Sequence, residues 1–166
     1  QDGVCAIIAR VRPATALVTL MFVAPLLLAD HHHVVSDDKA DFSTVKTFSI
    51  REGRATTTRP ELNNRLIFKK VEDAIRIQLS AKGMTEAQDR PDVVVGFRVG
   101  EDRQHGPHMI FDQGTLVIDI TAQKNSSMIW QGVYTDDKGT PAKVAEQLPG
   151  HVKKLLPEFP PKKRRG

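Results

Sequence analysis

The run GTLVIDITAQKNSSMIWQGVY, Gly114–Tyr134, divides into two alternating stretches around a polar centre. Leu116, Ile118 and Ile120 alternate with Thr115, Val117, Asp119 and Thr121. A period of two puts the apolar set on one side of a strand and the polar set on the other. Gln123 to Ser127 supplies turn residues, and Met128 to Tyr134 returns as a second strand. Two such runs joined by a short turn make a β-hairpin.

The neighbouring sequence extends this hairpin into a sheet. Val93, Val95, Phe97 and Val99 alternate with Val94, Gly96 and Arg98, which predicts another half-buried strand. Between it and the hairpin, Glu101 to Gly114 is polar and contains Gly106, Pro107 and Gly114, so a loop is expected there. Further upstream, Pro60 and Glu61 suit the first turn of a helix. Leu62, Leu66, Ile67, Val71, Ala74, Ile75 and Leu79 follow at spacings of three and four, and Gly83 suits a left-handed C-terminal cap. The spacing predicts a helix from Pro60 to Lys82. Val34-Val35 and Thr47 to Ile50 read as short strands separated by a turn-rich segment, and Arg51 to Arg59 as a polar loop. Thr140-Pro141 opens a second helix with a stripe of Val144, Leu148, Val152, Leu155 and Phe159. Pro149-Gly150 falls inside it, so a kink or two short pieces is expected.

The order is strand, strand, helix, three strands, helix. Grouped strands joined by hairpins predict an α+β fold: a mainly antiparallel sheet of about five strands with two helices packed on one face.

The ends of the chain have a different character. Arg10 and Arg12 precede the apolar run Ala14–Leu28, which ends at Ala29 before Asp30-His31-His32-His33. A positive start, a short apolar centre and a small residue at the end are the parts of a signal peptide, although Leu27 stands where a small residue is preferred. The run is 15 residues long, short of the roughly 20 that span a bilayer; an uncleaved anchor is the alternative. The chain thus divides into a leader at 1–29, one domain at 30–161 and a basic tail at 162–166. The only cysteine, Cys5, lies in the leader, so the domain carries no disulfide or cysteine-based metal site.

The pI of about 9.3 reflects 24 basic and 20 acidic residues. Two of the basic residues and one of the acidic ones lie in the leader, and four basic residues, Lys162 to Arg165, lie in the tail. The domain keeps 18 basic and 19 acidic residues, so the basic excess is terminal and argues against nucleic acid as a partner. The tail would add a salt-sensitive attraction to anionic lipid or polymer, a basis for peripheral membrane association.

Several segments, in order, resemble one family. Asp41 to Phe48 (DFSTVKTF) resembles its opening ADFS.YKTF, and Leu79 to Met84 its L..KGY. Pro91 to Val95 resembles its PDLLV, and Gly114 to Ile120 with Ile129 to Gly132 its GTLVIDI and LVWRG hairpin. Phe159-Pro160-Pro161 resembles its FPP ending. The family is a group of bacterial lipoproteins, the domain of unknown function 4136. The resemblance implies an envelope location and an α+β fold, and brings no catalytic residues with it. The chain departs from the pattern at Asp30, where the lipidated cysteine is expected, and at Pro149-Gly150. The first departure puts anchoring through lipid in doubt.

Candidate chemistry is sparse. His31 to His33 could ligate a transition metal, but consecutive side chains of an extended segment point apart, and a solvated terminus is the plainer reading. His105 and His108 with Asp102 and Asp112 form a denser cluster that a zinc-dependent hydrolase could use, against the simpler reading of a mobile loop. Asp119, with Asp136 and Asp137 after the next strand, could pair carboxylates for acid–base work or could be a wet sheet face. Trp130 could be a ligand platform or a cross-strand core residue, with Gly132 letting its ring lie over bare backbone. There is no phosphate-cradling glycine loop, no Gly-x-Ser-x-Gly elbow and no His-Glu-x-x-His, and no cofactor is implied. The expected function is therefore a non-enzymatic binding or scaffolding module of the cell envelope with an envelope protein or polymer as partner. A metal- or carboxylate-dependent hydrolase built on residues 102–112 is the alternative, and a periplasmic metal binder using His31 to His33 is a weaker one.

Overall fold

Along the strand that starts at Val93, Val93, Val95, Phe97 and Val99 are buried, while Val94, Gly96 and Arg98 between them are not. That alternation sets the architecture, a sheet with one covered and one uncovered side. The computed structural model describes residues 31–105, 110–136 and 140–161, with positions 31, 101–105 and 110–114 described through the backbone alone. The proposed leader, Asp30, His108, Asp137 and the basic tail lie outside the described residues.

The strands are β1 (His31–Ser36), β2 (Thr47–Ile50), β3 (Arg54–Ala55), β4 (Thr85–Glu86), β5 (Val93–His105), β6 (Ile110–Ala122) and β7 (Met128–Asp136). The helices are α1 (Arg65–Ala81) and α2 (Pro141–Leu155). The seven strands form one sheet in the order β1-β7-β6-β5-β2-β4, with β3 also paired to β5. β5, β6, β7 and β1 are antiparallel neighbours, whereas β2 and β3 run parallel to β5, and β4 runs parallel to β2. The α+β class holds, but the sheet is mixed and not mainly antiparallel, and it has seven strands and not five. The reason is connectivity: α1 lies between β2 and β5, and a crossover of that length returns the chain parallel to where it began.

The expected hairpin is present, with Ile118 opposite Gly132 and Ile120 opposite Trp130. The expected 101–114 loop is not. β5 and β6 stay paired out to His105 opposite Ile110, beyond the last β7 pair, Gly114 with Asp136. The polar composition there belongs to a two-stranded ribbon that continues past the rest of the sheet, where polar residues can face water. β3, inside the expected 51–59 loop, and β4 were too short to leave a period in the sequence. His31 to His33, expected as a free terminus, are paired along β7.

α1 starts five residues later than expected. Asn64 is its N-cap, accepting from the Leu66 amide at 2.9 Å, while Leu62 and Asn63 amides close a separate turn on the Arg59 carbonyl. Leu62 is still buried, but Leu66 is exposed. At the other end Gly83 has φ +82°, its amide donates to the Ser80 carbonyl and the Met84 amide to that of Leu79. This is the paired C-terminal closure that glycine permits, with buried Met84 and Leu79 forming its apolar contact. α2 is capped by Thr140 and runs unbroken through Pro149, not as two pieces. Its buried side, Val144, Leu148, Val152 and Leu155, joins Val71, Ile75 and Leu79 of α1 over the covered side of the sheet.

Candidate functional site

The uncovered side of the sheet is the largest feature left without a structural role. Its residues alternate with the core: Val94, Gly96 and Arg98 of β5, Val117, Asp119 and Thr121 of β6, Gln131, Val133 and Thr135 of β7, and His33 and Val35 of β1. Each of these is half-buried or exposed, whereas the interleaved positions of β5, β6 and β7 are nearly all buried. Met128 is 51% exposed and Val35 48% exposed on this side. No described residue packs over it as the helices pack over the other side.

Polar side chains are organised at its centre. Arg98 Nη2 lies 3.1 Å from Asp119 Oδ2, and Gln131 Nε2 donates to Asp119 Oδ1 at 2.7 Å. Gln131 also lies 3.6 Å from the Met128 sulfur. Beside this group is a depression of about 200 Å³ lined by Arg51, Val94, Gly96, Arg98, Asp119, Thr121, Met128 and Gln131. Arg54 follows on β3, in register with Arg98. Asp119 is thus tied to an arginine and an amide, an arrangement that orients the arginine and binds charge. None of the groups around the depression is a nucleophile activated by a base.

The remaining candidates are placed as follows. Trp130 is 1% exposed and lies in the core, with its ring edge-to-face on Phe159 at 5.7 Å. A Cβ at Gly132 would stand 2.5 Å from Trp130 Cη2, so the ring does lie over bare backbone. A surface platform would need that ring exposed, and it is not. Asp102 is paired opposite Gln113, Asp112 opposite Arg103, and His105 opposite Ile110. His32 Nε2 lies 2.8 Å from Glu158 Oε1. Among the described residues no three of His, Cys, Asp or Glu form a group that could hold a metal ion.

Asp136 does not pair with Asp119; its carboxylate is 3.8 Å from His151 Nε2 on α2. His151, buried and unremarked in the sequence, stacks on Tyr134 at 3.8 Å, and Lys154 donates to the Tyr134 hydroxyl at 3.2 Å. This polar group fastens α2 to β7 on the covered side. The uncovered side drew notice for Asp119 only. Its arginines were missed because Arg51 and Arg54 lie in what reads as a loop.

The two ends of β2 and β5 are joined by Asp92. Its Oδ2 accepts from the Lys46 amide at 2.9 Å, the Thr47 amide at 2.8 Å and the Thr47 hydroxyl at 2.9 Å. These donors hold the carboxyl below the usual aspartate range. Asp92 is therefore a strut between the two strands.

The fold and this face define a small α+β layer protein with one side of its sheet clad in helices and the other uncovered among the described residues. The chain belongs to the family described as domain of unknown function 4136, which matches residues 33–161. No curated protein matches it. Among solved structures, a PDZ domain protein from Parabacteroides distasonis is similar at 15% identity with a TM-score of 0.59. The similarity covers 81% of this chain and 36% of that one, so this chain spans about a third of that protein's length, and the likeness is one of fold. A PelC dodecamer from Paraburkholderia phytofirmans is 13% identical over 74% of this chain and 94% of that one, with a TM-score of 0.45. A lipoprotein from Neisseria meningitidis is 7% identical over 66% of this chain and 96% of that one, with a TM-score of 0.41. Among the described residues no helix is long and apolar enough to cross a membrane.

Proposed function

We propose that this protein is a non-enzymatic contact module of the bacterial cell envelope, exported by its leader and docking a partner on the uncovered side of its sheet. The observation that carries this reading is the contrast between the two sides. One has its alternate residues sealed beneath two helices; the other leaves Val35, Met128 and the Arg98–Asp119–Gln131 group open to solvent. A bare sheet side mixing apolar and hydrogen-bonding groups is suited to recognition. The envelope location is supported by the leader pattern and by the lipoprotein family the sequence resembles.

The test is site-specific photo-cross-linking in the producing cell. A photoreactive residue at Val117 or Val133, on the uncovered side, is expected to give a discrete adduct. One at Lys69 or Lys153, exposed on the helices, is expected to give none. Adducts from the helix positions alone, or from no position, would overturn the proposal.

A further inference from the structure

We infer that the depression over Gly96 receives an acidic side chain of a partner protein, a glutamate or aspartate presented by an extended peptide, with Arg51 and Arg98 as its guanidinium clamp and Arg54 adding positive charge from the neighbouring strand. The inference rests on the uncovered side being the contact surface, and it names what that surface recognises.

Charge is the first support. Two guanidinium groups, Arg51 and Arg98, line the depression, and the one carboxylate among the lining residues is Asp119; Arg54 lies outside the lining, in strand register with Arg98. Asp119 already occupies Arg98, at 3.1 Å, and is held there by Gln131. Arg51 and Arg54 have no ion-pair partner among the described residues. Glu52, next to Arg51 in the chain, is not part of the lining. A guanidinium offers paired donors in a fork that matches a carboxylate, so an incoming acid would find the geometry Asp119 uses.

Size and composition choose the class of partner. At about 200 Å³ the depression is smaller than the roughly 300–1,000 Å³ of small-molecule sites. It suits one anchoring side chain with the rest of the partner lying across the sheet. The strand positions on this side that carry described side chains include arginine, methionine and valine but no lysine, glutamate, phenylalanine, tyrosine or tryptophan. Protein interfaces favour arginine and methionine over lysine and glutamate, and Arg54, Arg98 and Met128 on this side match that preference. A sugar-binding surface would normally supply an aromatic platform, and this side has none among the described residues.

Gly96 makes the site testable. A Cβ there meets nothing within 4 Å. The floor is bare backbone, so a side chain placed there starts into open space and fills the depression. Valine also suits a strand better than glycine.

The experiment uses the full chain and fluorescence anisotropy with labelled decaglutamate. Decaglutamine, phosphatidylglycerol vesicles and oligogalacturonate are the comparison ligands. Decaglutamate is expected to bind at low salt and to weaken at least tenfold in 0.5 M salt, while decaglutamine does not bind. Gly96→Val is expected to weaken decaglutamate at least tenfold with no loss of Tm, and Arg51→Gln with Arg54→Gln to weaken it similarly. Asp119→Asn, which frees Arg98, is expected to tighten it severalfold. Decaglutamate binding that Gly96→Val leaves unchanged, or a preference for vesicles or oligogalacturonate, would overturn the inference. If decaglutamate fails while cross-links from Val133 persist, the acidic anchor is wrong and the contact surface stands. If both fail, both fall.

Discussion

Asp92 shows how much one side chain can fix. Three donors from Lys46 and Thr47 converge on one of its oxygens, and its own amide donates back to the Thr47 hydroxyl at 2.9 Å. Its carbonyl accepts from Gln123, so β2, β5 and the β6–β7 turn meet at one residue. Because its folded pKa is depressed, its stabilisation is fully present above the unfolded value of about 3.9 and is lost as pH falls through the lower folded value. Thermal melts should therefore hold steady on this account near neutrality and fall below about pH 4, with a shallower acid slope for Asp92→Asn. Asp92→Ala should cost about 1–2 kcal/mol at neutral pH, at the lower end because water also reaches the carboxylate. The role could not be read from Pro91-Asp92 alone, since its donors lie some 45 positions earlier in the chain. Trp130 was legible as a core residue through Gly132, because a glycine two places along a strand lies under the same side. His151 was not, because a lone histidine in a helical stripe gives no sign of the tyrosine it will stack on.

At the scale of elements, periodicity revealed what was long and amphipathic. α1, α2 and the β6–β7 hairpin all follow from the spacing of their apolar residues. The start of α1 did not, because Pro60 and Glu61 carry helix-opening signals while the capping side chain is Asn64. Asn64→Ala should cost about 1 kcal/mol, read by chemical denaturation as a lower midpoint with an unchanged slope. Pro60→Ala should have a smaller effect, since Pro60 lies outside the helix. The ribbon of β5 and β6 was hidden by Gly106-Pro107, which signals a turn but not how far pairing extends on either side. Two of the parallel strands were hidden for another reason: β3 and β4 have two residues each, too few to show any period.

For the whole molecule, the inequality between the two sides of the sheet is the organising fact. The apolar core lies on the side where α1 and α2 meet the sheet. The other side has the same strands beneath it and no described cover. The sequence shows this inequality only in outline, as alternation within β5 and β6. Which arginines gather at Gly96 depends on β2 and β3 arriving parallel to β5, a feature of topology that no local pattern encodes. On the proposed function this side is covered by a partner in the envelope, and Met128 reports on that cover directly. Oxidative footprinting should modify Met128 readily in the purified protein, where it is 51% exposed, while Met84, 8% exposed, stays protected as an internal control. In intact cells Met128 should become protected toward the level of Met84. Equal oxidation of Met128 in the purified protein and in the cell would contradict it.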